Sequence, residues 1–377
     1  MTKNYLIIIL YVFMAFALSS QEVSKRNLPV YVDSMMADSR YRLDPLKCGI
    51  SLEDWKKAGR DALLEAAGNF PPETPLEYKI TATERRDGYA VHKIEYNVSS
   101  WTNVVAYLLV PEGDGPFPGM LMLHDHGAHF SIGKEKMVRP FGVSEETVED
   151  ADKWVATYYD SVYLAGSYAK AGFVVLVADA LLWGERQAQG GTKYETQQAL
   201  NGALLQLGYS LGGLMLHDDM RALDLLASMP MVDKERIGCL GFSMGAYRAW
   251  MLGAASDKVK AVAAVCWMST CHALFSNGRK SKGGSDYSML LPGLGKVMDY
   301  PHVAALVCPR PLLLYNGKKD KLFPIEGVTE AYNVLSEVYN KAGASECLKM
   351  EFWDEKHFFN RQQQDAVMEF FHTHFNL

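Results

Sequence analysis

The stretch RIGCLGFSMGAYRAW, residues 236–250, joins a short apolar run to a helical pattern through a glycine-flanked serine. Residues 241–245 of this stretch match the pattern G-x-S-x-G. Where a strand enters a helix through such a turn, the serine has a strained backbone, and side chains in place of the glycines would collide with neighbouring backbone. The turn also puts Ser243 at a helix N-terminus, where backbone N–H groups stabilise negative charge. The stretch therefore predicts a nucleophilic Ser243, and an ordinary glycine-rich turn is the alternative.

Apolar runs and helical patterns alternate on both sides of this stretch. Helices are predicted near residues 51–67, 244–254, 325–341 and 360–375. Strands are predicted at YAVHKIEYNVS and NVVAYLLVP, as a hairpin, and then at FPGMLMLHD, GFVVLVADA, VKAVAAVCWM, RPLLLYNG and LKMEFWD. Continuous apolar strands separated by helices indicate a mostly parallel sheet covered on both faces. The predicted fold class is α/β, and the serine motif narrows it to the α/β-hydrolase fold.

A nucleophilic serine needs a base and an acid that orients the base, and in this fold the acid precedes the histidine in the chain. Asp320 follows the strand RPLLLYNG, and His357 follows the last strand, LKMEFWD. Both are therefore expected at the sheet edge that carries Ser243. We predict that His357 is the general base and Asp320 its orienting acid. The alternatives are Asp354 and Glu355 for the acid, whereas His372 and His374 are interpreted as surface or packing residues.

The segment LHDHGAH, residues 123–129, resembles the H-x-H-x-D-H cradle of zinc hydrolases, but Ala128 stands where that cradle has aspartate. Its position after a strand favours another role. An α/β hydrolase needs two backbone N–H donors for the oxyanion, one after the nucleophile and one in this loop. We predict Met244 and Ala128 as these donors, with no catalytic metal or cofactor. His124, Asp125 and His129 either brace the loop or contact substrate.

Three further features are candidates for substrate contacts. Arg186 either pairs with Glu185 or Asp179 or reaches an anionic substrate. Trp267 either stacks on a sugar ring or belongs to the core, because an aromatic face suits both roles. The basic segment IGKEKMVRP, residues 132–140, is interpreted as a solvated loop or as a contact for an acidic sugar.

The chain of 377 residues has a net charge of −6, which argues against general nucleic-acid binding. Its first 20 residues have a lysine, an apolar run and a small-x-small cleavage site, so they predict a signal peptide and a periplasmic or secreted protein that is not membrane-bound after cleavage. An uncleaved anchor is the alternative.

Residues 21–75 are predicted to form an N-terminal extension and residues 76–377 the catalytic domain. Cys266 and Cys271 are the closest pair for a disulfide bond, although cysteines in apolar runs are typical of buried free thiols.

With these residues in place, the chain resembles secreted bacterial carbohydrate esterases of the α/β-hydrolase superfamily. The resemblance covers about residues 50–375 and rests on HDHGAHFSIGKEK, DALLWGER, DDMRALDLLASMPMVDKERIGCLGFSMGAYRAW and VAALVCPRPLLLYNGKKDKLFP. The group includes dienelactone-hydrolase-like proteins, acetyl xylan esterases, glucuronoyl esterases and pectin methylesterases, and HDHGAHF with GKEK favours the last. Two features depart from the relatives. Met244 replaces the arginine of glucuronoyl esterases, and WGER, residues 183–186, replaces the R-G-Q loop of acetyl xylan esterases.

The resemblance implies an exported serine esterase that acts on plant polysaccharide, with a methyl ester of a uronic acid as the expected substrate. Removal of O-acetyl groups from xylan or pectin is the first alternative. A prolyl-oligopeptidase-like peptidase, a metal-dependent hydrolase and a non-catalytic binding protein are further alternatives. The sequence makes no prediction of the oligomeric state.

Overall fold

The computed structural model describes residues 34–35, 40–275 and 287–377 of the chain. The predicted signal peptide, residues 1–20, lies outside the described residues, as does most of the segment 21–39. Among the described helices, none is both long and apolar enough to cross a membrane.

One mixed sheet organises the described part of the chain. Its strands pair in the order β1-β2-β3-β5-β4-β6-β7-β8-β9. The pairs β1–β2, β2–β3 and β3–β5 are antiparallel, and the remaining pairs are parallel. The strands are β1 (Tyr78–Arg86), β2 (Tyr89–Asn97), β3 (Asn103–Pro111), β4 (Phe117–Leu123), β5 (Val174–Ala178), β6 (Val232–Phe242), β7 (Ala261–Val265), β8 (Leu312–Gly317) and β9 (Leu348–Trp353).

Helices cover both faces of this sheet. They are α1 (Leu52–Ala67), α2 (Glu145–Tyr158), α3 (Leu164–Lys170), α4 (Tyr194–Gln206), α5 (Leu211–Ser228), α6 (Met244–Ala255), α7 (Cys271–Phe275), α8 (Tyr300–Ala305), α9 (Ile325–Lys341) and α10 (Arg361–Phe375). Every residue of β5, β7 and β8 is buried, as expected for parallel strands with helices on both sides. The α/β-hydrolase fold class is thereby confirmed.

The helix of the N-terminal extension begins where its sequence predicts. Ser51 caps α1 by accepting a hydrogen bond from the N–H of Asp54. Trp55 and Leu63 are buried, and α1 packs against α5 and α6. The extension therefore shares the core of the hydrolase domain.

Strand β1 was missed by the sequence prediction. Its residues, YKITATERR, are mostly exposed because β1 lies at the edge of the sheet and pairs only with β2. An edge strand that packs little against the core lacks the apolar alternation on which the prediction depends. The strand before the LHDHGAH loop is therefore the fourth along the chain, and the strand before Ser243 is the sixth.

Candidate active site

The turn between β6 and α6 holds Ser243 in a backbone conformation that few non-glycine residues adopt, with φ 56° and ψ −123°. We call residues 241–245 the nucleophile elbow. A Cβ on Gly241 would lie 2.0 Å from the carbonyl oxygen of Gly245, and a Cβ on Gly245 would lie 1.8 Å from that of Leu123. Both glycines are therefore required by close backbone contacts, and the elbow is wedged against the end of β4.

Two hydrogen bonds connect Ser243 to the predicted histidine and acid. Nε2 of His357 lies 2.8 Å from Oγ of Ser243, and Nδ1 lies 2.7 Å from Oδ2 of Asp320. The other carboxylate oxygen of Asp320 accepts the N–H of Leu322 at 2.9 Å. The carboxylate is fully buried, whereas the imidazole is 19% exposed. This is the geometry of a Ser-His-Asp triad whose serine and histidine face a cleft.

The alternative acids point elsewhere. Asp354 forms an ion pair with Lys319, and its side chain is 76% exposed. Glu355 accepts a hydrogen bond from Asn360. Asp320 is the carboxylate hydrogen-bonded to the imidazole, so it is the acid that the fold brings to His357.

A cleft of about 220 Å³ opens above Ser243. Its aromatic walls come from Trp154 and Tyr158 on α2 and from Tyr194 at the start of α4. These three residues were not predicted from the sequence, because helical spacing alone gives no sign that a helix borders a site. The cleft is also lined by Asp125, His126, Gly127, Ala128, Phe242, Ser243, Met289, Leu322 and His357.

The loop after β4, residues 124–136, is called the β4 loop below. His124 is fully buried, its Nε2 accepts the N–H of Ala180, and its Nδ1 lies 2.9 Å from the carbonyl oxygen of Asp125. Burial lowers the pKa of His124 well below its ordinary value, which keeps the ring neutral. His124 therefore braces the loop.

Asp125 is 2% exposed and lies at the edge of the cleft. Its Oδ2 accepts hydrogen bonds from the hydroxyl of Tyr159 at 2.7 Å and from Nε1 of Trp154 at 3.2 Å. The carboxylate thus ties the β4 loop to α2, which carries the aromatic wall.

Lys134 and Lys136 of the basic segment, residues 132–140, are fully buried. For these two lysines, both the solvated loop and the contact with an acidic sugar are therefore wrong. The ammonium of Lys134 lies 2.7–2.8 Å from carboxylates of Glu135, Asp179 and Glu185. Burial alone would lower the pKa of Lys134, but these carboxylates outweigh it and raise the pKa well above the ordinary value. Lys134 is therefore a charged, structural residue.

The predicted donor Ala128 is already engaged. It has a positive φ of 53°, and its N–H donates to Nδ1 of His126 at 2.8 Å. Ala128 lines the cleft, but its N–H is directed to this ring in the structure described.

Three predicted substrate contacts are not among the residues that line the cleft. Trp267 is 1% exposed within an aromatic cluster that includes Tyr247 and Tyr300, so the sugar-stacking role is wrong. The side chain of Arg186 is 5% exposed and pairs with the carboxylate of Asp218 at 2.7 Å, and of its two predicted partners it reaches Asp179, by donating to the backbone carbonyl at 3.2 Å. His129 stacks on Trp154 and lies 2.7 Å from Asp150. All three side chains are therefore engaged by protein groups in this structure.

Two groups of side chains in the described residues have the spacing of metal ligands. One is Cys266, Asp320 and His357, which shares two members with the triad. The other is Glu135, Asp179 and Glu185, and the ammonium of Lys134 already lies among these carboxylates. Of the histidines in the cradle-like segment 123–129, His124 and His129 are engaged by protein groups, as described above. All six cysteines are free thiols.

The sheet order, the elbow and the triad geometry together define an α/β hydrolase. Comparison with known proteins agrees, since residues 18–368 match the Abhydrolase family, and the chain belongs to that family.

Three individual proteins show how far the similarity extends. A Bacillus subtilis (strain 168) protein named as a hydrolase, YtaP, is 27% identical over 292 residues, which are 77% of this chain and 90% of that protein. A Bacteroides fragilis NCTC 9343 structure named as an acetyl xylan esterase is similar with a TM-score of 0.68 and 21% identity, over 86% of this chain and 82% of the other. The structure of methylesterase BT1017 is similar with a TM-score of 0.62 and 18% identity, over 90% of this chain and 69% of the other.

Proposed function

We propose that the protein is a serine esterase that hydrolyses esters of plant polysaccharides, with a methyl ester of a uronic acid as substrate. The observation that carries the proposal is the hydrogen-bonded chain from Ser243 through His357 to Asp320, at the floor of an aromatic cleft. Non-catalytic relatives of such enzymes commonly lack one member of this chain, and all three are present here.

The proposed reaction follows from this geometry. Nε2 of His357 takes the proton from Oγ of Ser243 as the oxygen attacks the ester carbonyl. Backbone N–H groups at the start of α6 and in the β4 loop hold the oxyanion. His357 then gives the proton to the departing methoxy oxygen, methanol leaves, and an acyl-enzyme remains. Water, deprotonated by the same imidazole, hydrolyses the acyl-enzyme and restores Ser243.

The lining of the cleft supports a sugar ester. Trp154, Tyr158 and Tyr194 offer aromatic faces on which a pyranose ring can pack. Among the described residues, no lysine or arginine lines the cleft, which suits an ester group that carries no charge. The resemblance noted for HDHGAHF and GKEK and the similarity to methylesterase BT1017 support the methyl ester.

Deacetylation of xylan or pectin is the second candidate, and the similarity to the protein named as an acetyl xylan esterase favours it. It would use the same triad. The acyl group on Ser243 would then be acetyl, and the sugar would be the leaving alcohol. Export to the periplasm or the medium is part of the proposal, since both polymers lie outside the cell.

The test compares two products from defined polymers. Purified protein is incubated with methylated pectin free of acetyl groups and, separately, with acetylated xylan, and methanol and acetate are measured. We expect methanol release that is absent with Ser243→Ala. Release of acetate without methanol would mean that the substrate is the acetyl ester and not the methyl ester. Absence of both products with active hydrolysis of p-nitrophenyl acetate would contradict a polysaccharide substrate while leaving the serine esterase mechanism in place.

A further inference from the structure

Lys136 places a buried ammonium directly behind the β4 loop. Its Nζ lies 3.0 Å from the carbonyl oxygen of Asp125 and 3.0 Å from that of His126. The carboxylate oxygen Oδ1 of Asp125 is farther away, at 3.6 Å. The ring of Trp154 completes the surroundings, with its centre 4.7 Å from Nζ. The short polar contacts of this lysine are therefore to two consecutive backbone carbonyls.

The same two carbonyls each have a second donor. Because Nε2 of His124 accepts the N–H of Ala180, the ring proton lies on Nδ1, which donates to the carbonyl of Asp125 at 2.9 Å. Two further donors reach the carbonyl of His126, which are Nε1 of Trp183 at 3.2 Å and the N–H of His129 at 3.3 Å. Several donors thus fix the orientation of two successive peptide groups.

A trans peptide group directs its C=O and its N–H in opposite directions. The described cis peptide bonds precede Pro116 and Pro309, so the bond between His126 and Gly127 is trans. Since the carbonyl of His126 faces Lys136, the N–H of Gly127 faces away from the lysine. Gly127 lines the cleft together with Ser243. The N–H of Ala128, by contrast, is held by the ring of His126.

We infer that Lys136 is a positioning residue of the oxyanion hole, and that it turns the N–H of Gly127, and not that of Ala128, towards the oxyanion. This inference rests on the proposed esterase function and deepens it by naming the second donor and its support. The ammonium also polarises the peptide whose carbonyl it holds, which strengthens the N–H on the other side as a donor.

The first experiment replaces Lys136 with methionine, which keeps a long unbranched side chain and removes the donors. With p-nitrophenyl acetate we expect kcat to fall about 100-fold and KM to change less than about 3-fold, because an oxyanion donor acts in the transition state. The matched control is Tyr159→Phe. It removes a buried hydrogen bond to the carboxylate of Asp125 but no contact to either carbonyl, and its kcat should stay within about 3-fold of the wild type.

Melting temperatures of both variants are measured beside the kinetics. A wild-type kcat in Lys136→Met, or an equal loss of kcat in both variants, would contradict the positioning role. The equal loss would mean that the cluster only supports the fold.

A second measurement needs no variant. The wild-type protein is treated with diethyl p-nitrophenyl phosphate, which phosphorylates an active serine, and the adduct is crystallised. We expect the phosphoryl oxygen within about 3 Å of the backbone nitrogens of Met244 and Gly127. A contact with the nitrogen of Ala128 in place of Gly127 would overturn the inference. Failure of Ser243 to react would instead contradict the serine esterase mechanism itself.

Discussion

The nucleophile elbow and the β4 loop meet at Ser243 but are built in different ways. The elbow depends on close backbone contacts in which its own glycines take part. The β4 loop is held by groups from other parts of the chain, including the side chains of Tyr159 and Trp183 and the backbone N–H of Ala180, and by its own buried lysines. A turn defined by backbone sterics has little tolerance for change, whereas a loop defined by several polar contacts can lose one and keep its fold.

The largest effect is expected at the serine of the elbow. Ser243→Ala should lower kcat at least about 10,000-fold on p-nitrophenyl acetate, because no other group supplies the nucleophile. Its melting temperature should stay close to that of the wild type. The matched control is Ser131→Ala, an exposed serine of the β4 loop that bonds Asp150, and it should keep its activity. A wild-type rate in Ser243→Ala would contradict the mechanism.

Gly245→Ala tests whether the elbow is rigid. The added Cβ would lie 1.8 Å from the carbonyl oxygen of Leu123, so the free energy of unfolding should fall by more than about 3 kcal/mol. Urea denaturation measures it. Gly202→Ala is the matched control, because this glycine lies in α4 with open space around its Cβ position, and the substitution should raise stability by about 0.5–1 kcal/mol. Equal stability of the two variants would show that the elbow can adjust.

Gly127→Ala makes the same change in the β4 loop. Its Cβ would lie 2.1 Å from the ring of Trp154, and Gly127 has a positive φ of 58°. A side chain can move where a carbonyl wedged between two elements cannot, so we expect a loss of stability of about 1–3 kcal/mol, smaller than in Gly245→Ala. The kcat should fall about 10- to 100-fold as the loop shifts. A greater loss of stability than in Gly245→Ala would reverse the comparison.

Trp183→Phe should have the smallest effect. It removes one of the three donors to the carbonyl of His126 and leaves Lys136 and the N–H of His129 in place. We expect kcat to fall less than about 5-fold, and the free energy of unfolding to fall by about 1 kcal/mol, the usual contribution of one neutral hydrogen bond. Steady-state kinetics and urea denaturation check both values. A loss of kcat as large as that of Lys136→Met would mean that the loop depends equally on each donor.

The sequence by itself determined the features that are local. The glycines of the elbow lie within two residues of Ser243, so the motif carries its own steric requirement. The apolar runs of β4 to β8 predicted buried strands because parallel strands with both faces covered need apolar side chains throughout, whereas β9, at the edge of the sheet, is only half-buried. Once the order of strands was read, the positions of Asp320 and His357 after β8 and β9 followed, and the structure brings both to Ser243.

Only the tertiary structure decided the features whose partners are distant in the chain. Lys134 and Lys136 have a sequence typical of a solvated loop, yet both are buried. Lys134 is bound by Asp179 and Glu185, which lie 45 and 51 residues further along the chain. Lys136 is bound by two backbone carbonyls. Trp267 was ambiguous for the same reason, since an aromatic residue near a strand end serves a cleft or a core equally well. Burial of a charge depends on which partners the fold brings within hydrogen-bonding distance, and spacing along the chain does not contain that information.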